Sequence, residues 1–237
     1  MAGYYSVVEG DYLSKIAADK GFTDYHTIWD HPNNATLKQT RQNPCILVPG
    51  DQVFIPDKVP HQESRSSDQH HTFVVRRPSL KLRLVLEDLY ELPIAGATCT
   101  LVVQGQSYSL TSDGNGMIEQ EIPPTAQHGF FAITANLTPF HKIQIPLKIG
   151  YLEPVDQVAG QMARLNNLGY FAGDLDEIQR GGGGEGVSTD DASGSGQPAT
   201  DDQFVSAVEE FQCDHGLHVD GICGPITQAK LKQVHGC

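Results

Sequence analysis

The chain has 237 residues, with 16 Lys and Arg against 29 Asp and Glu, and its formal net charge is -13 at pH 7. Nucleic-acid binding depends on clustered cations, so this balance disfavours nucleic acid as a partner. The hydrophobic content of 39% is ordinary for a globular protein, but 24 Gly and 14 Pro exceed what one compact core needs. That surplus predicts several small modules joined by turns and linkers.

The first residues show no basic segment followed by an apolar one, and no stretch approaches the roughly eighteen apolar residues that span a bilayer. We therefore expect cytoplasmic synthesis without a signal peptide and no insertion into a membrane. The cysteines form no CxxC pair, which favours reduced thiols. A Cys213–Cys223 or Cys223–Cys237 bridge stays open if the protein reaches an oxidising space.

Composition divides the chain at two places. Residues 58–71 contain almost no large apolar side chain, and residues 181–202 are rich in Gly, Ser and Asp, so both predict solvated segments without a core. The predicted architecture is multidomain α+β. It has a first domain at 1–57, the linker, an all-β sandwich at 72–150, and a helical domain at 151–237 that contains the second segment as a disordered insert.

The first domain is predicted to run strand, helix, helix, strand. Residues 5–8 form a short β-like run, Asp11 is placed to cap the first helix, and Gly21 ends it. The second helix carries Ile28-Trp29, and residues 53–55 form the second strand. The apolar face of the first helix consists of Leu13, Ile16 and Ala17. This order predicts a two-stranded sheet packed on a helix pair.

Two runs of this domain resemble a LysM domain: residues 5–17, YSVVEGDYLSKIA, and residues 43–56, NPCILVPGDQVFIP. The resemblance implies a small βααβ fold that binds polymers of β-linked N-acetylglucosamine, such as peptidoglycan or chitin, in a shallow groove between two loops. Carried over residue by residue, one side of that groove consists of Gly10, Asp11, Tyr12 and Leu13, and the other of Cys45, Ile46, Leu47 and Val48.

Residues 25–41 form a longer segment than a simple LysM second helix. In this they resemble LysM modules of contractile injection machines, such as type VI secretion spikes and phage-like particles. Some modules in that setting are structural, so an adaptor fold with no sugar in its groove stays open as an alternative.

Residues 80–86 alternate in the β manner, with leucines on one face, and Gly-containing turns follow at intervals. This pattern predicts an antiparallel sandwich of about six or seven strands. The strings LPIAGA at 92–97 and SDGNG at 112–116 resemble transthyretin-like and carboxypeptidase-regulatory-like sandwich domains. Asp113 and Asn115 suggest calcium, but a single turn without a bidentate Glu falls short of an EF-hand, so a turn is the preferred interpretation.

Three helices are predicted in the last domain from apolar residues at helical spacing. The three sets are Val155, Val158, Met162, Leu165 and Leu168; then Phe204, Val205, Val208 and Phe211; then Ala229, Leu231 and Val234. They predict a three-helix bundle.

The strings ARLNNLGY at 163–170, FVSAVEEFQ at 204–212 and VDGICGPIT at 219–227 resemble the peptidoglycan-binding-like three-helix domain. The resemblance implies an accessory, non-catalytic role at peptidoglycan. The Gly-rich insert replaces the first D-G-x-x-G-P-x-T loop of that family. The residues that the resemblance places at a glycan groove are Phe211, Asp220, Gly221 and Thr227. Asp220 and Thr227 also fit a turn and a helix cap.

No arrangement of residues predicts catalysis, a cofactor or a metal site. The ten His fit no HExxH spacing, and no GxSxG, Walker A or GxGxxG string is present. Cys213, His215 and His218 form a C-x-H-x-x-H cluster at a helix end. A hydrolase built on this cluster is the less favoured alternative.

The sequence therefore predicts a non-catalytic bacterial cell-wall binding protein, with two weak modules that gain avidity on one polymer. The expected partners are peptidoglycan or another N-acetylglucosamine polymer and a spike or tube protein of a type VI-like injection machine. In that machine the chain would serve as a spike-side adaptor or as cargo delivered to the periplasm or outside. A purely structural adaptor is the alternative.

Overall fold

The computed structural model describes residues 2–59, 64–72, 79–88, 90, 92–133, 143–173 and 199–236. The chain divides into two compact units, Met1–Tyr151 and Leu152–Cys237. The predicted mixed α+β class is confirmed, with antiparallel sheets and short helices in the first unit and helices in the second. Part of the predicted linker, 60–63, and most of the predicted insert, 181–198, lie outside the described residues.

The N-terminal part of the first unit contains two strands and a set of short helices. They are β1 (Gly3–Ser6), α1 (Leu13–Asp19), α2 (His26–Trp29), a 3-10 turn (Pro32–Asn34), α3 (Ala35–Arg41) and β2 (Gln52–Ile55). The two strands pair antiparallel, with Tyr4 opposite Phe54 and Tyr5 opposite Val53. Their inner face packs on a core that includes Leu13, Ile16, Ile28, Trp29 and Val53.

The start of α1 differs from the sequence prediction. Tyr12, not Asp11, occupies the N-cap position, and no side chain caps the helix. The backbone N–H of Leu13 donates instead to the carbonyl oxygen of Pro44, at 3.0 Å. The N–H of Leu13, which has no partner within the helix, is thus paired with the loop that contains Pro44. Asp11 is therefore free to make other contacts.

The rest of the first unit is the predicted all-β sandwich. Its strands are β3 (Leu80–Val85), β4 (Thr98–Val103), β5 (Gln106–Thr111), β6 (Met117–Ile122), β7 (His128–Ile133) and β8 (Ile143–Lys148). One sheet pairs β3 with β6, and the other has the order β5-β4-β7-β8, with every pair antiparallel. The core between the sheets includes Cys99, Leu101, Val103, Ile118, Ile122 and Phe131.

The second unit contains three described helices, α4 (Val158–Asn167), α5 (Ala199–Asp214) and α6 (Pro225–His235). Its core consists of Met162, Leu165, Ala172, Ala207, Val208, Phe211 and Leu231. The predicted third helix is confirmed as α6; within it Ala229 and Val234 are exposed, and Thr227 is buried with Leu231. A polar residue four positions before Leu231 shares its face, which an apolar pattern does not detect.

The helix α5 begins at Ala199, four residues before the predicted insert ends at Asp202. Acidic residues lower the overall hydrophobicity of this stretch, yet they are favourable near a helix N-terminus. Composition alone therefore placed the boundary too late.

The described part of the chain holds no helix that is long and apolar enough to cross a membrane. Its four cysteines, Cys45, Cys99, Cys213 and Cys223, are thiols rather than disulfides. Burial raises the pKa of Cys99, and it raises the pKa of Cys223 to about 11.

Candidate binding surfaces

The first loop of the predicted glycan groove, residues 10–13, is covered by the sandwich of the same unit. Tyr12 is only 1% exposed, and its hydroxyl donates a hydrogen bond of 2.6 Å to the carbonyl oxygen of Ala126. Burial raises the pKa of this phenol. In this structure the ring of Tyr12 is therefore unavailable to a sugar.

Two glycines allow this close approach. Gly10 has a φ of +78°, and a Cβ there would lie 2.8 Å from the Cζ atom of Tyr151. Gly150 has a φ of +88°, and a Cβ there would clash with the ring of Tyr12. The side-chain amide of Gln127 also donates to the carbonyl oxygen of Gly10, at 3.2 Å. A larger residue at Gly150 would collide with the Tyr12 ring and the Gly10 carbonyl oxygen, and at Gly10 the positive φ itself disfavours any other residue.

Asp11 fixes the shape of this first loop from inside. One carboxylate oxygen accepts hydrogen bonds from the Tyr5 hydroxyl, at 2.7 Å, and from the N–H of Val8, at 3.1 Å. The other accepts from Lys15 Nζ, at 2.7 Å. Burial opposes the charge of Asp11, but the bonds from Lys15, Tyr5 and Val8 outweigh it and lower the pKa of this carboxyl. Asp11 therefore orders the loop and does not point at a ligand.

The second loop of the predicted groove meets the first but also turns its apolar side chains inward. Ile46 and Leu47 are buried, and Val48 is half-buried. Asp51 holds the end of this loop, because it accepts two hydrogen bonds of 2.8 Å from the Arg41 guanidinium and one of 2.9 Å from the N–H of Val48. The structure therefore brings the two predicted loops together, but the apolar side chains of both point inward and, within the described residues, leave no open groove between them.

In the second unit, Gln212 organises the loop between α5 and α6. Its carbonyl oxygen accepts from the N–H groups of Asp220, at 3.0 Å, and Gly221, at 3.1 Å. Its amide nitrogen donates to Asp220 Oδ1, at 2.8 Å, to the Ile222 carbonyl oxygen, at 3.0 Å, and to Thr227 Oγ1, at 3.1 Å. One buried side chain thus pairs with polar groups of the loop at 220–222 and with Thr227 in the first turn of α6.

The residues predicted for a C-terminal glycan groove are therefore mostly structural. Phe211 and Thr227 are buried, the first in the core and the second against Gln212. Gly221 is also buried, with a Cβ position 2.7 Å from Val205 Cγ1. Asp220 is exposed, but one of its oxygens accepts from the Ile222 N–H, at 2.9 Å, as in a turn. The cap at the start of α6 is Gly224, so Thr227 is not a helix cap.

Large apolar side chains are exposed around this same loop. We define the loop surface as Val205, Val219, Ile222 and Ile226, which are 39%, 50%, 65% and 76% exposed. Single exposed apolar residues are ordinary, whereas contiguous apolar patches are typical of interaction sites, and these four side chains are the candidates for such a patch. The sequence motif contains these side chains, but its pattern does not distinguish the accessible ones from the buried ones.

Arg164 is a second buried polar residue that holds backbone groups in place, and the sequence did not predict this. It is 1% exposed, and its guanidinium donates to the carbonyl oxygens of Glu153, at 2.8 Å, and Gly160, at 2.7 Å. His235 lies in the same region and its Nε2 is 3.0 Å from the Asn167 amide nitrogen. Burial, together with the charge of Arg164, lowers the pKa of His235 to about 4.

The C-x-H-x-x-H cluster is spread out in the structure. Cys213 is exposed, while His215 is half-buried with its ring 4.4 Å from the ring of Phe211. His218 is exposed and its nearest acidic partner is Asp220, at 3.6 Å. Within the described ranges no three or more His, Cys, Asp or Glu side chains are arranged to hold a metal ion.

Asp113 adopts the turn that the sequence predicted. Its Oδ1 accepts from the N–H groups of Asn115, at 2.8 Å, and Met117, at 2.9 Å. This is the pattern of an Asx turn, in which the carboxylate is used by the backbone.

The family comparison matches only the second unit. Residues 157–231 match the family model described as Putative peptidoglycan binding domain. The matched range contains α4 and α5, the loop organised by Gln212, and most of α6. It confirms the resemblance predicted for the C-terminal domain. No curated protein and no solved structure matches the chain.

Proposed function

We propose that the chain is a non-catalytic peptidoglycan-binding protein whose second unit contacts the wall polymer. The observation that carries the proposal is the match of residues 157–231 to a peptidoglycan-binding family model. The loop surface supplies the accessible side chains for this contact, held in place by the buried Gln212. Since peptidoglycan carries carboxylates and the chain has a net charge of -13, the contact depends on neutral sugar and apolar groups.

Sedimentation with purified sacculi tests this proposal. The full-length chain is expected to pellet with the sacculi, and Ile226→Asp is expected to stay in the supernatant. Ile226 lies in the first turn of α6, where an acidic residue is favourable, so the fold should persist. The matched control is Val158→Asp, a 55% exposed residue at the start of α4. A wild-type chain that fails to pellet, or a control that loses binding equally, would overturn the proposal.

We extend the proposal to an association with a type VI-like contractile injection machine, as a spike-side adaptor or as cargo. The support is the resemblance of residues 5–17 and 43–56 to LysM modules of such machines. Coprecipitation of the full chain with a spike or tube protein is the expected result. Its absence in a system that assembles the machine would remove this part of the proposal.

A second candidate function is a structural adaptor without glycan binding. The burial of Tyr12 against Ala126 favours it, because the predicted groove of the N-terminal module is used for a contact within the chain. Coprecipitation with a spike protein combined with no retention on sacculi would select this candidate over the first.

A further inference from the structure

The outer face of the β1–β2 sheet carries an exposed aromatic corner that none of the contacts described above uses. Tyr4 and Phe54 lie opposite each other in the register, with ring centroids 5.3 Å apart and planes at 67°. The ring of His31 also contacts Phe54, with centroids 4.7 Å apart and planes at 31°. Tyr4 is 64% exposed, while Phe54 and His31 are half-buried. We define these three residues as the aromatic corner.

The aromatic corner is held rigidly by a buried amide. Asn34 is 1% exposed, and its side chain accepts from the N–H of Phe54, at 2.7 Å, and donates to the carbonyl oxygen of Phe54, at 2.8 Å. The same amide donates to the carbonyl oxygen of Ile28, at 2.8 Å, which ties the strand to α2. A rigid support lowers the entropy cost of binding, because the rings need not be ordered when a ligand arrives.

The strand pair next to the rings is polar and carries no ionisable group. Ser6 and Gln52 form the next pair on the same face, and both are exposed. His31 Nδ1 accepts from the N–H of Asn33, at 3.2 Å, and in the tautomer that this bond requires Nε2 is the donor. Aromatic faces flanked by hydroxyl, amide and imidazole donors suit an uncharged ring that bears hydroxyl and acetamido groups.

The size and charge of the corner decide between possible occupants. A stable protein–protein interface buries about 800 Å² on each partner. Here the polar Ser6–Gln52 pair bounds the patch on one side and three rings make up its apolar part, which suits a sugar ring better than a protein surface. Nucleobases also stack on aromatic rings, but they arrive with phosphates that a chain of net charge -13 repels.

We infer that the aromatic corner of Tyr4, Phe54 and His31 is a stacking site for a sugar ring of an N-acetylglucosamine polymer. This site lies on the sheet face and not in the closed loops, so the N-terminal module contacts glycan without opening the Tyr12 contact. The choice of polymer rests on the function proposed for the second unit, whereas the existence of a stacking site does not.

The test uses the full-length chain that carries Ile226→Asp, so that the second unit does not contribute. The probe is the N-acetylglucosamine hexamer, followed by calorimetry and by the ring resonances of Tyr4, His31 and Phe54. Binding with shifts of these resonances is expected, and Tyr4→Ala is expected to weaken it about fivefold or more. Tyr4→Phe retains the ring and should retain most of the affinity. The matched control is Tyr90→Ala, at a tyrosine that is 83% exposed elsewhere in the first unit.

The inference is overturned if the hexamer does not bind the chain that carries Ile226→Asp. It is also overturned if adding Tyr4→Ala to that chain leaves the affinity unchanged. A loss of affinity in Tyr90→Ala equal to that in Tyr4→Ala would also overturn it, because the effect would not be specific to the corner. These outcomes do not depend on sacculus binding by the second unit. That binding is measured separately, by comparing the sedimentation of Ile226→Asp with that of Val158→Asp. Failure of one proposal is therefore distinguishable from failure of the other.

Discussion

The hydroxyl of Tyr12 donates to the carbonyl oxygen of Ala126, a partner 114 positions further along the chain. Both residues are buried, and Ala126 lies in the turn between β6 and β7. The bond joins the start of α1 to the sandwich, so the N-terminal module and the sandwich should unfold together. The division of the chain into only two compact units agrees with this coupling.

Tyr12→Phe should destabilise the first unit by roughly 1–3 kcal/mol, because the buried carbonyl of Ala126 loses this donor. The chain contains a single tryptophan, Trp29, which is buried in the first unit and reports its unfolding by fluorescence. Urea titration of the variant against the parent measures the change. Tyr90→Phe removes a hydroxyl from an exposed ring and should leave the midpoint unchanged. Equal midpoints for Tyr12→Phe and the parent would contradict the prediction.

Gln212→Leu should disorder the loop between α5 and α6. The backbone N–H groups of Asp220 and Gly221 lose their common acceptor, and the expected cost is about 2 kcal/mol or more. Hydrogen exchange at these two amides should accelerate by tenfold or more, while Gln233→Leu, at an exposed position of α6, should not change it. Unchanged protection at Asp220 and Gly221 would show that the loop does not depend on Gln212.

The stability of the second unit should fall in mild acid because of His235. Its pKa is about 4 in the folded chain, against an ordinary value of 6.5, so the unfolded chain binds a proton first as the pH falls. The stabilisation that comes from keeping His235 neutral is complete above pH 6.5 and is lost between pH 6.5 and 4. Over that range the free energy of unfolding falls by at most about 1.4 kcal/mol per pH unit.

Thermal melts of α4–α6 by circular dichroism across this pH range measure the effect. His235→Gln should flatten the pH dependence, whereas His218→Gln, at a side chain that is 89% exposed, should leave it as in the parent. A parent whose stability is constant between pH 6.5 and 4 would contradict the assignment to His235.

Salt should not release the chain from sacculi. Raising the salt from about 0.1 M to about 1 M shortens the Debye length from about 10 Å to about 3 Å, which screens repulsion between two acidic partners. The pelleted fraction is therefore expected to stay the same or rise. A marked loss at high salt would mean that a local cationic patch carries the binding, contrary to the neutral contacts proposed for the loop surface. Ile226→Asp should remain unbound at both salt concentrations.

Local patterns in the sequence predicted much of the fold. The alternation at 80–86 became β3, with Leu80, Leu82 and Leu84 turned toward the core. The spacing of Leu13, Ile16 and Ala17 likewise became the buried face of α1. Each of these signals depends on neighbours a few positions apart, which share one face of a helix or strand.

The candidate sites were harder to predict because their determinants are distant in sequence or polar. Nothing near Tyr12 indicates that its ring will be covered by residues 126 and 150. Gln212 lies inside a recognised motif, but its five hydrogen bonds depend on how the loop folds around it. They join it to residues 8 to 15 positions away, which the motif does not indicate. The aromatic corner depends on strand register, which pairs Tyr4 with Phe54 across nearly the whole length of the N-terminal module.

The four cysteines that the structure describes are divided between the two units, so each unit can be labelled separately. Cys45 and Cys213 are exposed, one in each unit, while Cys99 is buried and Cys223 is half-buried with its pKa raised to about 11. An alkylating reagent at neutral pH should therefore modify Cys45 and Cys213 quickly and the other two only when their own unit opens. Mass spectrometry of the Cys99 and Cys223 peptides would then time the opening of the sandwich and of the helical unit in a single sample, without any engineered probe.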